Sequence, residues 1–191
     1  MYPPPEGAAV LDVGCGFGDT TARIAGLVGA SGHAHGVDVA PRFIESAKDE
    51  FKAENTSFAV ADVQFDDLGG PYDLVFSRFG VMFFDNPGTA MRNIRESMNP
   101  GGRLVVVVWS IREDNPWLYE AQQVVEGLIG RPEEYDEPTC GPGPFSWSGA
   151  DTASGILMGA GFRDVTLTRC DIPILIGRDV SEAVDVVMAL G

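Results

Sequence analysis

Apolar residues fall along this chain in short runs separated by amphipathic stretches. Ala8 to Leu11, with Val13, is too short for a helix and is closed by glycines, so it reads as a buried strand. Asp19 opens a stretch with helical spacing through Ala22, Ile24, Ala25, Leu27 and Val28, and is its predicted N-cap. The alternation then repeats. Residues 34–39 predict a second strand. Pro41, suited to a first helical turn, starts a helix to about residue 53, with Phe43, Ile44, Ala47 and Phe51 on its apolar face. Residues 56–61 predict a third strand, and residues 72–77 a fourth after the turn Gly69-Gly70-Pro71. Asp85-Asn86-Pro87 caps a helix running to Met98, which Asn99-Pro100-Gly101-Gly102 breaks. Residues 103–109 are almost wholly apolar and valine-rich, the pattern of a central strand covered on both faces. Strands alternating with helices predict an α/β fold, an open parallel sheet with helices on both faces.

The second half leaves strict alternation. Asn115-Pro116-Trp117 starts a helix to about residue 129. Residues 131–148 hold four prolines with Gly141 and Gly143, and predict a loop or lid anchored by Phe145 and Trp147. A helix over 150–160 is closed by Gly161. Residues 163–169 alternate as a C-terminal strand, 172–176 form a second short apolar run, and 180–190 a last helix. The 191 residues suit one domain.

The glycines after the first strand carry the first chemical signal. Gly14, Gly16 and Gly18 stand at alternate positions between strand and helix, where backbone can approach a ligand and the helix N-terminus favours an anionic group. In a dinucleotide fingerprint the third glycine comes one residue later. Asp12, two residues before Gly14, would repel a pyrophosphate and suits a ligand bearing an ammonium. Asp38 ends the second strand, where ligands of open parallel sheets bind. It serves either a ribose or the start of the helix at Pro41. The segment 79–84, with Phe79, Phe83 and Phe84, is too apolar for an ordinary loop and reads as pocket wall or as core.

The stretch from Val10 to Thr21 closely resembles motif I of the class I S-adenosylmethionine-dependent methyltransferases. The resemblance continues through the second-strand acid and through Tyr72-Asp73-Leu74-Val75-Phe76-Ser77-Arg78. It extends to the MNPGGRLVVVVW run at 98–109 and to residues 143–167, which are similar to the stretch of small-molecule methyltransferases where a helix ending in Gly-Phe feeds the sixth strand. It implies a Rossmann-like sheet of order 3-2-1-4-5 plus a C-terminal strand, with S-adenosyl-L-methionine as cofactor. It places the cofactor against Asp12, Gly14, Cys15, Gly16, Phe17, Gly18, Thr20 and Thr21. Asp38 and Val39 would meet the ribose. Ala61, Asp62 and Val63 would meet the adenine, Asp62 at its amino group and Val63 on its ring. Ser77, Arg78 and Phe79 would close the site. Motif I begins almost at residue 8 and no seventh strand follows the last helix, so the chain reads as truncated at both ends, with an open sheet edge that invites self-association.

The expected reaction is in-line methyl transfer to a small organic acceptor. Ser77-Arg78-Phe79 lacks the N-P-P-Y pattern of many amino-group and nucleic-acid methylases, and no residue stands out as a base. Two other classes stay open: a non-catalytic cofactor-binding fragment or interaction protein, and an NAD-dependent oxidoreductase. Asp12, the early third glycine and the lack of a Tyr-x-x-x-Lys pair weigh against the oxidoreductase.

Charge narrows the partners. With 28 Asp and Glu against 13 Lys and Arg, the formal charge is −15, which argues against nucleic acid or an anionic membrane. Cys15, Cys140 and Cys170 are widely spaced, and His33 and His35 lack metal-ligand spacing, so neither a disulfide framework nor a metal is expected. The start of the chain has no signal-peptide pattern and no apolar run reaches membrane length, which predicts a cytoplasmic protein.

Overall fold

The computed structural model describes residues 3–130, 141–173 and 175–190. Five strands form one parallel sheet: β1 (Ala9–Val13), β2 (His33–Asp38), β3 (Thr56–Val60), β4 (Tyr72–Arg78) and β5 (Met98–Val107). Their order is β3-β2-β1-β4-β5, so the chain runs outward in one direction from β1 and then reverses across it to β4. The period-2 geometry of a strand splits β1 between two cores. Val10 points with Ala34 and Leu74 onto Ile24, Ala25 and Val28 of α1 (Asp19–Val28). Leu11 and Val13 join Val37 and Val75 on the other face, under Ala90, Met91 and Ile94 of α3 (Pro87–Glu96). That face is completed by Ala153 and Leu157 of α5 (Ala150–Gly159) and by Trp147. Burial on both faces explains why β1 is apolar except at Asp12.

Local sequence sets the helix starts. Pro41 and Pro87 occupy first-turn positions of α2 (Pro41–Glu50) and α3, where a missing N–H costs nothing. The Asn86 side chain accepts from Thr89 N at 3.0 Å, as an N-cap should. α1 differs from its expected start. Its cap is Gly18, in the left-handed region at φ 89°, and Asp19 is the first helical residue, its charge set against the positive end of the helix dipole. α2 ends at Glu50, with Phe51 as its C-cap. Phe43 turns away from the core and meets the Phe17 ring at 4.6 Å.

The other departures lie toward the C-terminus. β5 begins at Met98 and takes in the expected breaker 99–102, after a register shift against Tyr72 and Leu74. It is an edge strand with no fully buried residue, not the central strand its valines predict. Residues 163–169 form no strand, which corrects the expected C-terminal strand. Alternation supplies two faces but no ladder partner. Leu167 stays 46% exposed, and Arg169 turns to the carboxylates of Asp114 and Asp171, each at 3.1 Å. Among the described residues no strand covers the outer edge of β5, and no seventh strand is present.

The predicted lid lies partly outside the described residues, at 131–140. Its remainder is anchored: Trp147 is 2% exposed within the α3/α5 core, and Gly143 N and Ser146 Oγ donate to the Met82 carbonyl at 3.0 and 2.7 Å. The Arg112 guanidinium lies over the Phe145 ring at 4.9 Å. The helices α4 (Pro116–Ile129) and α6 (Val180–Leu190) complete the chain, and α4 buries none of its side chains. Among the described residues no helix is long and apolar enough to cross a membrane.

Candidate functional site

The carboxyl ends of β1, β2 and β4 meet at the glycine loop. Gly14 N and Cys15 N both donate to the Val37 carbonyl, at 2.9 and 3.0 Å, which ties the loop to β2. Asp38 holds its tip. One carboxylate oxygen accepts from Gly16 N and the other from Ala40 N, each at 2.9 Å. Asp38 thus fixes both the loop and the entry to α2, and its oxygens keep lone pairs for further donors.

The glycines have distinct duties. All three are left-handed, at φ 68°, 54° and 89° for Gly14, Gly16 and Gly18. A Cβ on Gly14 would stand 2.9 Å from Gly80 Cα, and one on Gly18 would strike Ala47 and the Phe58 ring at 2.9 Å. These two glycines permit packing within the protein. A Cβ on Gly16 would meet nothing within 4 Å. Gly16 therefore faces open space at the tip of the loop, beside the Asp38 carboxylate, as a ligand cradle requires.

Behind the loop lies a buried polar layer. Asp12 is 1% exposed and accepts from Thr21 Oγ1 at 2.7 Å. Burial pushes its pKa up to about 6, the Thr21 bond and the Arg78 charge oppose this, and Asp38 adds to it. Ser77, fully buried, donates to the Val13 carbonyl at 2.8 Å and joins β4 to the strand leading into the loop. Burial, with Asp12 and Asp38 nearby, pushes the Cys15 thiol up to about 12. That makes Cys15 an unreactive packing residue against Ile44, Ala47 and Phe58. Phe17 and Val39 are exposed at the rim, Thr20 is half-buried on the first turn of α1, and Arg78 is exposed at the end of β4.

The end of β3 is organised by residues the motifs did not mark. Asp62 accepts from Gln64 N at 2.9 Å and from Gln64 Nε2 at 3.2 Å, beside buried Ala61 and Val63. Gln64 Oε1 accepts from Asn86 N at 2.6 Å, and Asn93 Nδ2 donates to the Val63 and Asp66 carbonyls at 2.9 and 2.8 Å. Two amides on either side of the α3 start thus hold the Asp62–Val63 turn. Their only signal in sequence is one amide after the third strand and one within a predicted helix, which names no partner.

A separate depression of about 510 Å³ opens at the amino end of the sheet, over the small side chain of Ala9. Within it, Ser57 Oγ bonds both His33 Nε2 and His35 Nδ1 at 2.7 Å, and His35 stacks on Tyr72 with ring centroids 6.5 Å apart. Burial and the neighbouring His33 hold the His35 pKa below its usual value. This cluster sits at the end of the strands opposite the glycine loop. Among the described residues no group of three or more His, Cys, Asp or Glu is placed to hold a metal.

An acid-anchored, left-handed glycine loop at the head of a 3-2-1-4-5 sheet has recognisable relatives. Residues 10–102 match the family model described as a methyltransferase domain. Over that segment the chain is similar to the class I S-adenosylmethionine-dependent methyltransferases. S-adenosyl-L-methionine is the methyl donor of this family. The chain is 28% identical over 143 residues to the 2-phytyl-1,4-naphtoquinone methyltransferase of Nostoc punctiforme, covering 68% of this chain and 62% of that one. It is 33% identical over 105 residues to the aklanonic acid methyltransferase DauC of a Streptomyces species, covering 53% and 48%. Both relatives are thus longer than the region matched. The crystal structure of an S-adenosylmethionine-dependent methyltransferase from Aquifex aeolicus superposes with a TM-score of 0.62 at 22% identity, over 83% of this chain and 73% of that one, a likeness of fold.

The loop has the chemistry such a donor needs: Gly16 leaves open space at its tip, Asp38 offers acceptor lone pairs beside it, and Asp12 stands as a buried carboxyl behind it.

Proposed function

We propose that this chain transfers the methyl group of S-adenosylmethionine to a small organic acceptor. The observation that carries the reading is the Asp38–Gly16 pair, an open left-handed glycine held at 2.9 Å by a carboxylate with capacity to spare. In this reading Asp38 accepts from ribose hydroxyls, Val39 lies beside the sugar, and Asp62 and Val63 meet the adenine. Phe17, Thr20 and the loop amides line the methionine end. Gly14, Gly18 and Thr21 shape the loop from behind. When bound, the donor supplies a methyl on a sulfonium, which leaves as a neutral thioether once the acceptor lone pair or carbanion takes the methyl. A neutral leaving group needs no acid, so the protein works chiefly by holding the two reactants in line, an effect worth about 7–11 kcal/mol at best. The acceptor's proton, where it has one, passes to a base or to water.

The relatives named above act on a phytyl-naphtoquinone and on aklanonic acid, which supports an organic acceptor of small size. The acidic chain, formally −15, supports the same choice over a nucleic acid. Calorimetry with S-adenosylhomocysteine and with NADH tests the donor, and transfer of a labelled methyl group to a panel of phenols, carboxylates, amines and quinones tests the reaction. Binding of S-adenosylhomocysteine with labelled product is the expected result. Binding of NADH instead, or tight S-adenosylhomocysteine binding with no transfer to any acceptor class, overturns it.

A further inference from the structure

We infer that the acceptor is a planar aromatic molecule, held against a shelf formed by Phe79, Trp109 and Trp117. The inference rests on the methyltransferase reading and adds the substrate class.

The shelf begins at the donor loop. Phe79 directly follows β4, and the next residue, Gly80, packs its backbone against Gly14 so closely that a Cβ on Gly14 would stand 2.9 Å from it. The Phe79 and Trp109 rings are parallel, 10° apart in plane, with centroids at 4.4 Å. Trp117 continues the array, its centroid 6.1 Å from Trp109 and its plane tilted by 54°. Three rings from the ends of β4 and β5 and the first turn of α4 therefore form one array that begins beside the glycine loop.

Two further observations point to a purpose beyond packing. Phe79 sits at φ 63°, a left-handed conformation rare for a bulky side chain. Its backbone N–H nevertheless bonds the Val107 carbonyl at 2.9 Å, so the strained conformation is fixed to β5, next to Trp109. The Trp109 backbone is fixed in turn, donating to Met82 Sδ at 3.5 Å. Trp117 keeps 39% of its surface open to solvent while Trp147 of the core keeps 2%. A rigid inner pair with an exposed outer indole offers ring surface to a third flat molecule. Ring faces favour another π system over a saturated ring of equal size, through quadrupole alignment and closer approach.

The test uses two alcohols of one skeleton, 2-naphthol and decahydro-2-naphthol, titrated by calorimetry into the protein loaded with S-adenosylhomocysteine. The flat probe should bind at least tenfold tighter. Trp117→Ala should abolish that preference, Trp117→Phe should restore most of it, and neither should alter S-adenosylhomocysteine affinity. Trp117 lies on an exposed helix face, so both variants should fold, which a thermal melt checks. Equal binding of the two alcohols, no measurable binding of either, or a preference that survives Trp117→Ala overturns the inference. Failure of S-adenosylhomocysteine to bind instead overturns the methyltransferase reading, and is recorded separately in the same experiment.

Discussion

Asp12 should make stability depend on pH in a way that a single substitution removes. Its carboxyl is 1% exposed, and burial raises its pKa from 3.8 to about 6. Between those values the folded chain holds a proton that the unfolded chain has released. The contribution of Asp12 is therefore complete below pH 3.8 and is lost as pH rises through about 6. Across the full window this amounts to about 3 kcal/mol, from 1.36 kcal/mol per pKa unit. With an isoelectric point near 4.3, the protein is best studied above pH 5. Between pH 5 and pH 8 the linkage relation leaves about 1 kcal/mol. Asp12→Asn keeps an oxygen to accept from Thr21 Oγ1 and stays neutral throughout. The other carboxylates are common to both proteins and cancel in the comparison. The variant should therefore gain about 1 kcal/mol on the parent from pH 5 to pH 8, a relative rise in Tm of roughly 2–4 °C for a chain of this size. Thermal melts followed by circular dichroism at half-unit steps give the curve. Two curves that run parallel within about 0.5 kcal/mol, or a gap that widens toward acid, would refute a buried and destabilised carboxylate.

Asp38→Ala removes an acceptor from the cleft and releases both Gly16 N and Ala40 N, so S-adenosylhomocysteine affinity measured by calorimetry should fall tenfold or more, as an order-of-magnitude figure for charge-assisted bonds. Gly18→Ala and Gly16→Ala should separate stability from binding. The first drives a methyl into Ala47 and Phe58 and should lower stability by about 1–3 kcal/mol in urea titrations. The second meets open space, and should cost about 1–2 kcal/mol for its left-handed backbone while weakening S-adenosylhomocysteine more. Trp147→Ala should cost about 3–5 kcal/mol of stability by the same titration, because its ring is sealed in the α3/α5 core.

The glycine loop was legible because its chemistry is written into the backbone. Glycines at 14, 16 and 18 can take φ values that other residues avoid, so their spacing announces the loop; Asp38 was legible as a ribose ligand or a helix start, while its hold on Gly16 N was not. The strand–helix alternation gave the five strands for the same reason: buried parallel strands leave continuous apolar runs. Periodicity reports faces, however, not neighbours. It cannot tell that the valines of β5 lie at an edge, nor that residues 163–169 alternate without a ladder to join. It gives no reason to choose Gly18 over Asp19 as the cap of α1. That choice depends on the φ of 89° where the loop joins the helix. The Gln64–Asn93 support of Asp62 and the His33–Ser57–His35 cluster arise from pairings between distant segments, which no local window contains.

The contact between Gly14 and Gly80 divides this cleft into two halves with different freedom to change. On one side the loop is held by main-chain bonds to Val37 and by Asp38, so altering side chains there gains little and risks the donor. On the other side the shelf is made of side chains on separate segments, whose rings can be exchanged without breaking the sheet ladder. The two halves touch where neither residue has a side chain to vary. On the proposed reading of the shelf, new acceptors are reached by repainting it at 109 and 117, with the glycine loop left untouched. Any engineered or natural drift in substrate should stop at position 80, where the first added carbon would press on the Val13 carbonyl that leads into the loop.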